Sequence, residues 1–170
     1  MVNLPQLTLS KARELLSKKE ISSTELTKSF IEKIEKSNSL NAYVEKTFDL
    51  ALNQASKADG ILGSSEQKPL CGIPLGVKDI FCCKNIKTQA ASNILDSFVP
   101  QYESTVTKNL WNNQAIMLGK LNMDEFAMGS SNETSVYGPA INPWKRSGND
   151  DFLTPGGSSG GSSSAVSADL

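Results

Sequence analysis

The chain has 170 residues, 38% of them apolar and 21% charged, enough for a single globular domain with a sizeable core. Seventeen basic residues against eighteen acidic ones leave a net charge of -1, with no positive excess to grip a phosphate backbone unaided. Histidine is absent, which removes Ser-His-Asp and Cys-His catalysis and every imidazole metal site, so any general base is another side chain.

Cys71, Cys82 and Cys83 form no Cys-x-x-Cys pair and are too few for a disulfide scaffold, so reduced thiols are expected. Met1-Val2-Asn3-Leu4-Pro5 has neither the basic opening and apolar run of a signal peptide nor the arginines of a transit peptide. No apolar stretch reaches membrane-spanning length, and a soluble cytoplasmic protein is the expectation.

In chain order, Leu9, Ala12, Leu15 and Leu16 predict a short helix. Ser22-Ser23-Thr24-Glu25 reads as a capping box opening a second, with Leu26, Phe30, Ile31 and Ile34 at helical spacing. Leu52, Ala55 and Ala58 predict a third, ended by Gly60, so the first sixty residues read as mostly helical. After a polar connection over Gly63 to Lys68, Ile73-Pro74-Leu75-Gly76-Val77 is an apolar run typical of a buried strand, with Lys78 at its end. Thr105 is placed to cap a helix carrying Val106, Leu110 and Trp111, and Ala115-Ile116-Met117-Leu118-Gly119 reads as a second buried strand. Strand, helix, strand implies a parallel pair and an α/β core behind a helical layer, without internal repeats.

Two features admit two readings each. Gly156 to Ser164 is only glycine and serine: either a flexible linker, or a tight turn feeding a helix through Ala165, Val166 and Ala168, whose amides favour developing negative charge. A phosphate-binding P-loop is the rival form of such a turn, but its motif ends in Gly-Lys-Ser/Thr and no lysine follows Gly161. Lys78 is either solvated or paired with Asp79, or it is desolvated, in which case a neutral amine becomes available as a base.

Gly76-Val77-Lys78-Asp79, the run Lys120-Leu121-Asn122-Met123-Asp124-Glu125-Phe126-Ala127-Met128-Gly129-Ser130-Ser131, and Pro155-Gly156-Gly157-Ser158-Ser159-Gly160-Gly161 occur in that order. Together they resemble the amidase signature family. Asn122 to Ser131, continued by Asn132-Glu133-Thr134-Ser135, Gly138-Pro139 and Asn142-Pro143-Trp144, looks specifically like its branch of glutamyl-tRNA(Gln) amidotransferase A-subunits, and the likeness runs over nearly the whole chain.

The resemblance implies a Ser-cisSer-Lys triad, with Lys78 as base and Ser158, behind a cis peptide, as bridging serine. A neutral Lys78 takes the proton of Ser158, which deprotonates a nucleophilic serine attacking the side-chain amide of glutamine. Met128, Gly129 and Ser130 resemble the loop lining the amide pocket, the other reading being a turn that packs Met128 into the core. Gly157 eases the turn sterically, and Ser159 orders the loop through its hydroxyl. Asp124 and Glu125 point in different directions, as sequence neighbours do, and read as helix-start or surface groups. The cysteines match no catalytic position and are expected as buried small hydrophobes, Cys82 and Cys83 unbonded.

The implied activity is release of ammonia from glutamine, in an ATP-dependent complex, for conversion of Glu-tRNA(Gln) to Gln-tRNA(Gln). The implied partners are subunits B and C of a heterotrimer. ATP, magnesium and most tRNA contact belong to the partner, with no cofactor, metal or membrane for this chain. The alternatives are another amidase-signature hydrolase of small amides, and a non-catalytic assembly module docking through the N-terminal helices.

In the family the acyl-forming serine lies past the helix that follows this loop, in a second Gly-Gly-Ser motif that also supplies the oxyanion hole. Gly160-Gly161-Ser162 has those letters but shares its turn with Ser158. The chain is therefore expected to be a truncated, N-terminal part of one amidase domain, and inactive alone. Residues 1–62 form a mainly helical layer, and residues 69–170 begin an α/β core whose mixed sheet with flanking helices stays incomplete. Two departures stand out: Asp169 replaces a small residue, a charge expected to face close packing without a partner, and Ser147 to Phe152 reads as an insertion.

Overall fold

The computed structural model describes residues 3–149 and 151–170, so Met1, Val2 and the Asp150 position of the expected insertion lie outside it. Helix α1 (Leu9–Ser17) is capped by Thr8, whose hydroxyl accepts from the Lys11 N–H. At the start of α2 (Ser23–Lys36), Ser22 Oγ accepts from the Glu25 N–H at 3.0 Å and the Glu25 carboxylate accepts from the Ser22 N–H at 2.9 Å, the reciprocal capping box that the spacing predicts. Leu16, Leu26 and Ile34 are buried, whereas Leu9 opens α1 on its exposed side.

The helical layer is interrupted. Tyr43–Lys46 form a strand, β1, where the sequence reads as helix and connection. The cause is a distant partner: β1 pairs antiparallel with β3 (Ile116–Leu121), Tyr43 opposite Leu121 and Lys46 opposite Gly119, a pairing that no local pattern announces. Helix α3 (Phe48–Ile61) then runs through Gly60 rather than ending at it, and Gly63, with φ 75°, takes the left-handed turn beyond.

Strand β2 (Pro74–Lys78) pairs parallel with β3, Lys78 opposite Leu121, giving the sheet order β1-β3-β2. The crossover helix α4 (Thr105–Asn112) is capped one residue earlier than expected: Ser104 Oγ accepts from the Thr107 N–H, and it is Thr107, not the exposed Val106, that faces inward. All six residues of β3 are buried because both faces are covered. Ile116 and Leu118 pack with Leu16, Leu26, Ile34, Ala51 and Ala58 on the helical side, and Met117 packs with Val77, Cys83 and Trp111 on the other. Each fully buried aliphatic side chain contributes about 1.5–3 kcal/mol.

The glycine-serine segment resolves as the tight turn and not as a linker, since Gly160–Ser167 form helix α5 with Gly160, Gly161, Ser164 and Ala165 buried. Asp169 does not sit unpartnered against the site: it is partly exposed and accepts from Lys33 Nζ at 3.2 Å, a surface pair worth about 0–1 kcal/mol. The result is a mixed α/β structure with a small mixed sheet and flanking helices. Among the described residues no helix is long and apolar enough to cross a membrane.

Candidate active site

The parallel strands β2 and β3 end side by side, and the chain leaving such ends is where α/β folds gather chemistry. Three main-chain hydrogen bonds stitch the loop after β3 to the glycine-serine turn and to β1. Asp124 N–H donates to the Ser158 carbonyl at 3.0 Å, Gly161 N–H donates to the Asn122 carbonyl at 2.9 Å, and Asn122 N–H donates to the Ala42 carbonyl at 2.9 Å. This puts Ser158 over the end of β2. Lys78 Nζ and Ser158 Oγ meet at 2.7 Å, 80 residues apart in sequence, and both residues are half-buried. The Gly157–Ser158 peptide is cis.

Burial pulls the Lys78 ammonium below its ordinary value of 10.5, because desolvation disfavours the charged form, and the Asp124 charge restores part of the shift. The 2.7 Å contact then serves in both directions: an amine N–H donates to Oγ, or the Ser158 O–H donates to the lone pair of a neutral amine. Pairing of Lys78 with Asp79 does not occur. Asp79 turns to the opposite face and binds Lys120, Nζ to Oδ1 at 3.1 Å, with both side chains fully buried.

Of the remaining expected site residues, Met128 is 72% exposed, which discards the reading that packs it into the core. Gly129 and Ser130 are exposed beside it. Gly129 and Gly157 converge on the Asp124 side chain: a Cβ on Gly129 would collide with its carboxyl carbon, and one on Gly157 with Oδ2. The same Cβ on Gly157 would lie 2.6 Å from the Ser130 carbonyl carbon and 2.7 Å from the Ser131 nitrogen. So Gly129, Ser130 and Gly157 are neighbours. Ser159 orders α5 through its backbone instead of its hydroxyl, since its carbonyl accepts from the Ser163 N–H at 3.0 Å and its side chain makes no capping bond. All three cysteines are free; Cys71 and Cys83 are buried, but Cys82 is half-buried, its thiol 3.4 Å from the Tyr102 hydroxyl.

Sequence reasoning missed two groups. Asp124 is not a surface carboxylate but fully buried, accepting from Asn132 N–H at 2.9 Å and Thr134 Oγ1 at 3.0 Å. Lys120 is a lysine inside a strand buried on both faces. Its position after Ala115-Ile116-Met117-Leu118-Gly119 was the available signal, because a buried lysine requires an acidic partner.

The sequence profile of the Amidase family matches residues 25–170. The chain belongs to the amidase family. The glutamyl-tRNA(Gln) amidotransferase A-subunit from Parvibaculum lavamentivorans is 57% identical over all 170 residues, and its counterpart from Rhizobium etli is 57% identical over 171 aligned residues. In both cases the match covers 35% of the relative, so the chain spans about a third of the length of these amidase relatives. Among solved structures, the corresponding A-subunit from Thermotoga maritima superposes with a TM-score of 0.77 at 29% identity, over 99% of this chain and 33% of that one. The peptide amidase of Stenotrophomonas maltophilia superposes at 0.80 with 29% identity, over 95% and 34%.

Proposed function

We propose that these residues form the N-terminal third of the ammonia-releasing subunit of a glutamine-dependent glutamyl-tRNA(Gln) amidotransferase, with Lys78 and Ser158 as its proton relay. The observation that carries this reading is the Lys78–Ser158 contact at the strand ends of a chain without histidine. The neutral amine of Lys78 accepts the Ser158 proton as Ser158 Oγ takes the proton of a nucleophilic serine contributed after α5. That serine attacks the glutamine carboxamide. The relay then runs backward and delivers a proton to the departing nitrogen, so ammonia leaves and an acyl-enzyme remains for water. Met128, Gly129 and Ser130 border the amide at the exposed rim, while Gly157 and Ser159 hold the loop. The ammonia passes to a partner assembly, subunits B and C, where ATP and magnesium activate Glu-tRNA(Gln) and where most of the tRNA is held. The 57% identity to an amidotransferase A-subunit over the whole chain favours this over hydrolysis of other small amides or a purely structural module.

Fragment complementation tests the reading. The 170-residue chain alone is expected to release no ammonia from glutamine. Mixed with the C-terminal two-thirds of the Parvibaculum lavamentivorans relative, together with subunits B and C of that organism, it is expected to restore release. Lys78→Ala is then expected to lower the rate by roughly 10²–10⁴-fold, the usual contribution of a positioned acid-base group. Ammonia release by the chain alone, or an unaffected Lys78→Ala complex, overturns it.

A further inference from the structure

The buried carboxylate beneath the relay has no part in the chemistry above. Asp124 is fully buried, yet it sits where the chain leaves β3, directly under the loop that presents Ser158. Its main chain and side chain do separate things. The N–H holds the Ser158 carbonyl at 3.0 Å, while the carboxylate accepts from Asn132 N–H, Thr134 N–H and Thr134 Oγ1 at 2.9, 3.4 and 3.0 Å. The two glycines packed against it leave no room for any other side chain between carboxylate and loop. We propose that Asp124 is a positioning residue of the Lys78–Ser158 pair, fixing Ser158 through its backbone and supplying the counter-charge when the relayed proton rests on Lys78. This rests on the relay proposed above.

The surroundings single out Asp124 for that task. Just past β2, Asp79 faces away and is bound to Lys120 of β3. On β1, Glu45 and Lys46 stand opposite Lys120 and Gly119, away from the strand end, and burial pushes the Tyr43 phenol up, so it stays neutral. On α2, Glu25, Lys28, Glu32, Glu35 and Lys36 are exposed and Lys33 binds Asp169, while α5 carries no charge at all. Among the described residues, Asp124 is the charge whose field reaches Lys78, and it raises the affinity of the amine for a proton against the pull of burial. A relay needs both tendencies. Desolvation frees the lone pair to accept the proton, and a fixed carboxylate stabilises the ammonium formed once it has.

The test follows 13Cε of Lys78 and 13Cγ of Asp124 in the labelled 170-residue chain from about pH 5 to about 11, the range containing the lysine transition. In the wild-type chain the Asp124 signal is expected to show a step at the Lys78 midpoint, since coupled groups report each other's titration. In Asp124→Asn the Lys78 midpoint is expected to move further down. A flat Asp124 signal through the Lys78 transition, or an unmoved midpoint in a folded Asp124→Asn chain, overturns the inference. If that variant does not fold, the wild-type step alone decides. A wild-type Lys78 midpoint at 10.5 or above, by contrast, overturns the relay reading whatever Asp124 does.

Discussion

Replacing Lys120 with methionine is expected to destabilise the chain by about 3–5 kcal/mol, the usual effect of removing one member of a buried ion pair. Lys120 Nζ is fully enclosed and donates to Asp79 Oδ1 at 3.1 Å and Thr88 Oγ1 at 2.9 Å. Methionine matches its length, so little packing is lost and the effect isolates the charge. The stranded Asp79 carboxylate would keep only the N–H groups of Gln89 and Ala91, each at 3.2 Å. Those bonds hold Ala90 and Ala91 in the left-handed region, φ 49° and 53°, where alanine rarely sits, and their carbonyls anchor Phe126 N–H and Val136 N–H. Loosening Asp79 therefore frees the 88–91 segment and, through it, the loop over the site. Against a total stability of about 5–15 kcal/mol, urea unfolding should show a large fall in midpoint. The double variant Lys120→Met/Asp79→Leu is expected to recover only part of it, because the loop contacts go with the carboxylate. A loss under about 1 kcal/mol would mean the pair is solvated like a surface one.

Gly161→Ala carries the second large effect, about 3 kcal/mol or more, at the top of the range for overpacking. The added methyl would stand 2.6 Å from both the Ala42 and Asn122 carbonyl oxygens and closer still to the Asn122 nitrogen. All three are backbone atoms at the ends of β1 and β3, which cannot turn aside as a flexible side chain does. Relief would push the first turn of α5 off the sheet and carry Ser158 away from Lys78. Gly60→Ala is the matched control: it lies inside α3 with nothing within 4 Å of the new methyl, and alanine there is expected to stabilise by roughly 0.5–1 kcal/mol. Equal effects at the two positions would contradict the close approach at Gly161.

What the sequence made legible was what local chemistry determines. The Ser22–Glu25 capping box, the spacing of Leu26 and Ile34, and two apolar runs flanking a helix yield α2 and the parallel β2–β3 pair, with Lys78 at a strand end. The amidase motifs added Ser158, which no composition argument distinguishes from the serines around it. Less legible were the features created by distant partners: β1 is a strand because β3 lies beside it, and although the apolar run before Lys120 signals its burial, nothing local names Asp79 as the partner that meets it there. Asp124 read as a helix-start or surface carboxylate; it does stand at the start of the three-residue turn Glu125–Ala127, but nothing local foretold that the loops around Gly129 and Gly157 would close over it.

Desolvation of the Lys78 amine is open to one thermodynamic measurement, the unfolding free energy of the wild-type chain and of Lys78→Met as functions of pH. Burial holds Lys78 below 10.5 in the folded chain, and unfolding returns it to 10.5. Between the two values the unfolded chain binds more protons, so the group's contribution to stability grows with pH; it is complete above 10.5 and is lost as pH falls through the folded value. Methionine does not titrate, and the other lysines cancel in the difference. The wild-type chain should therefore gain on Lys78→Met as pH climbs from neutrality toward 10.5. Parallel curves, or a wild-type chain that loses ground as pH rises, would contradict a dry amine at residue 78 and the relay built on it.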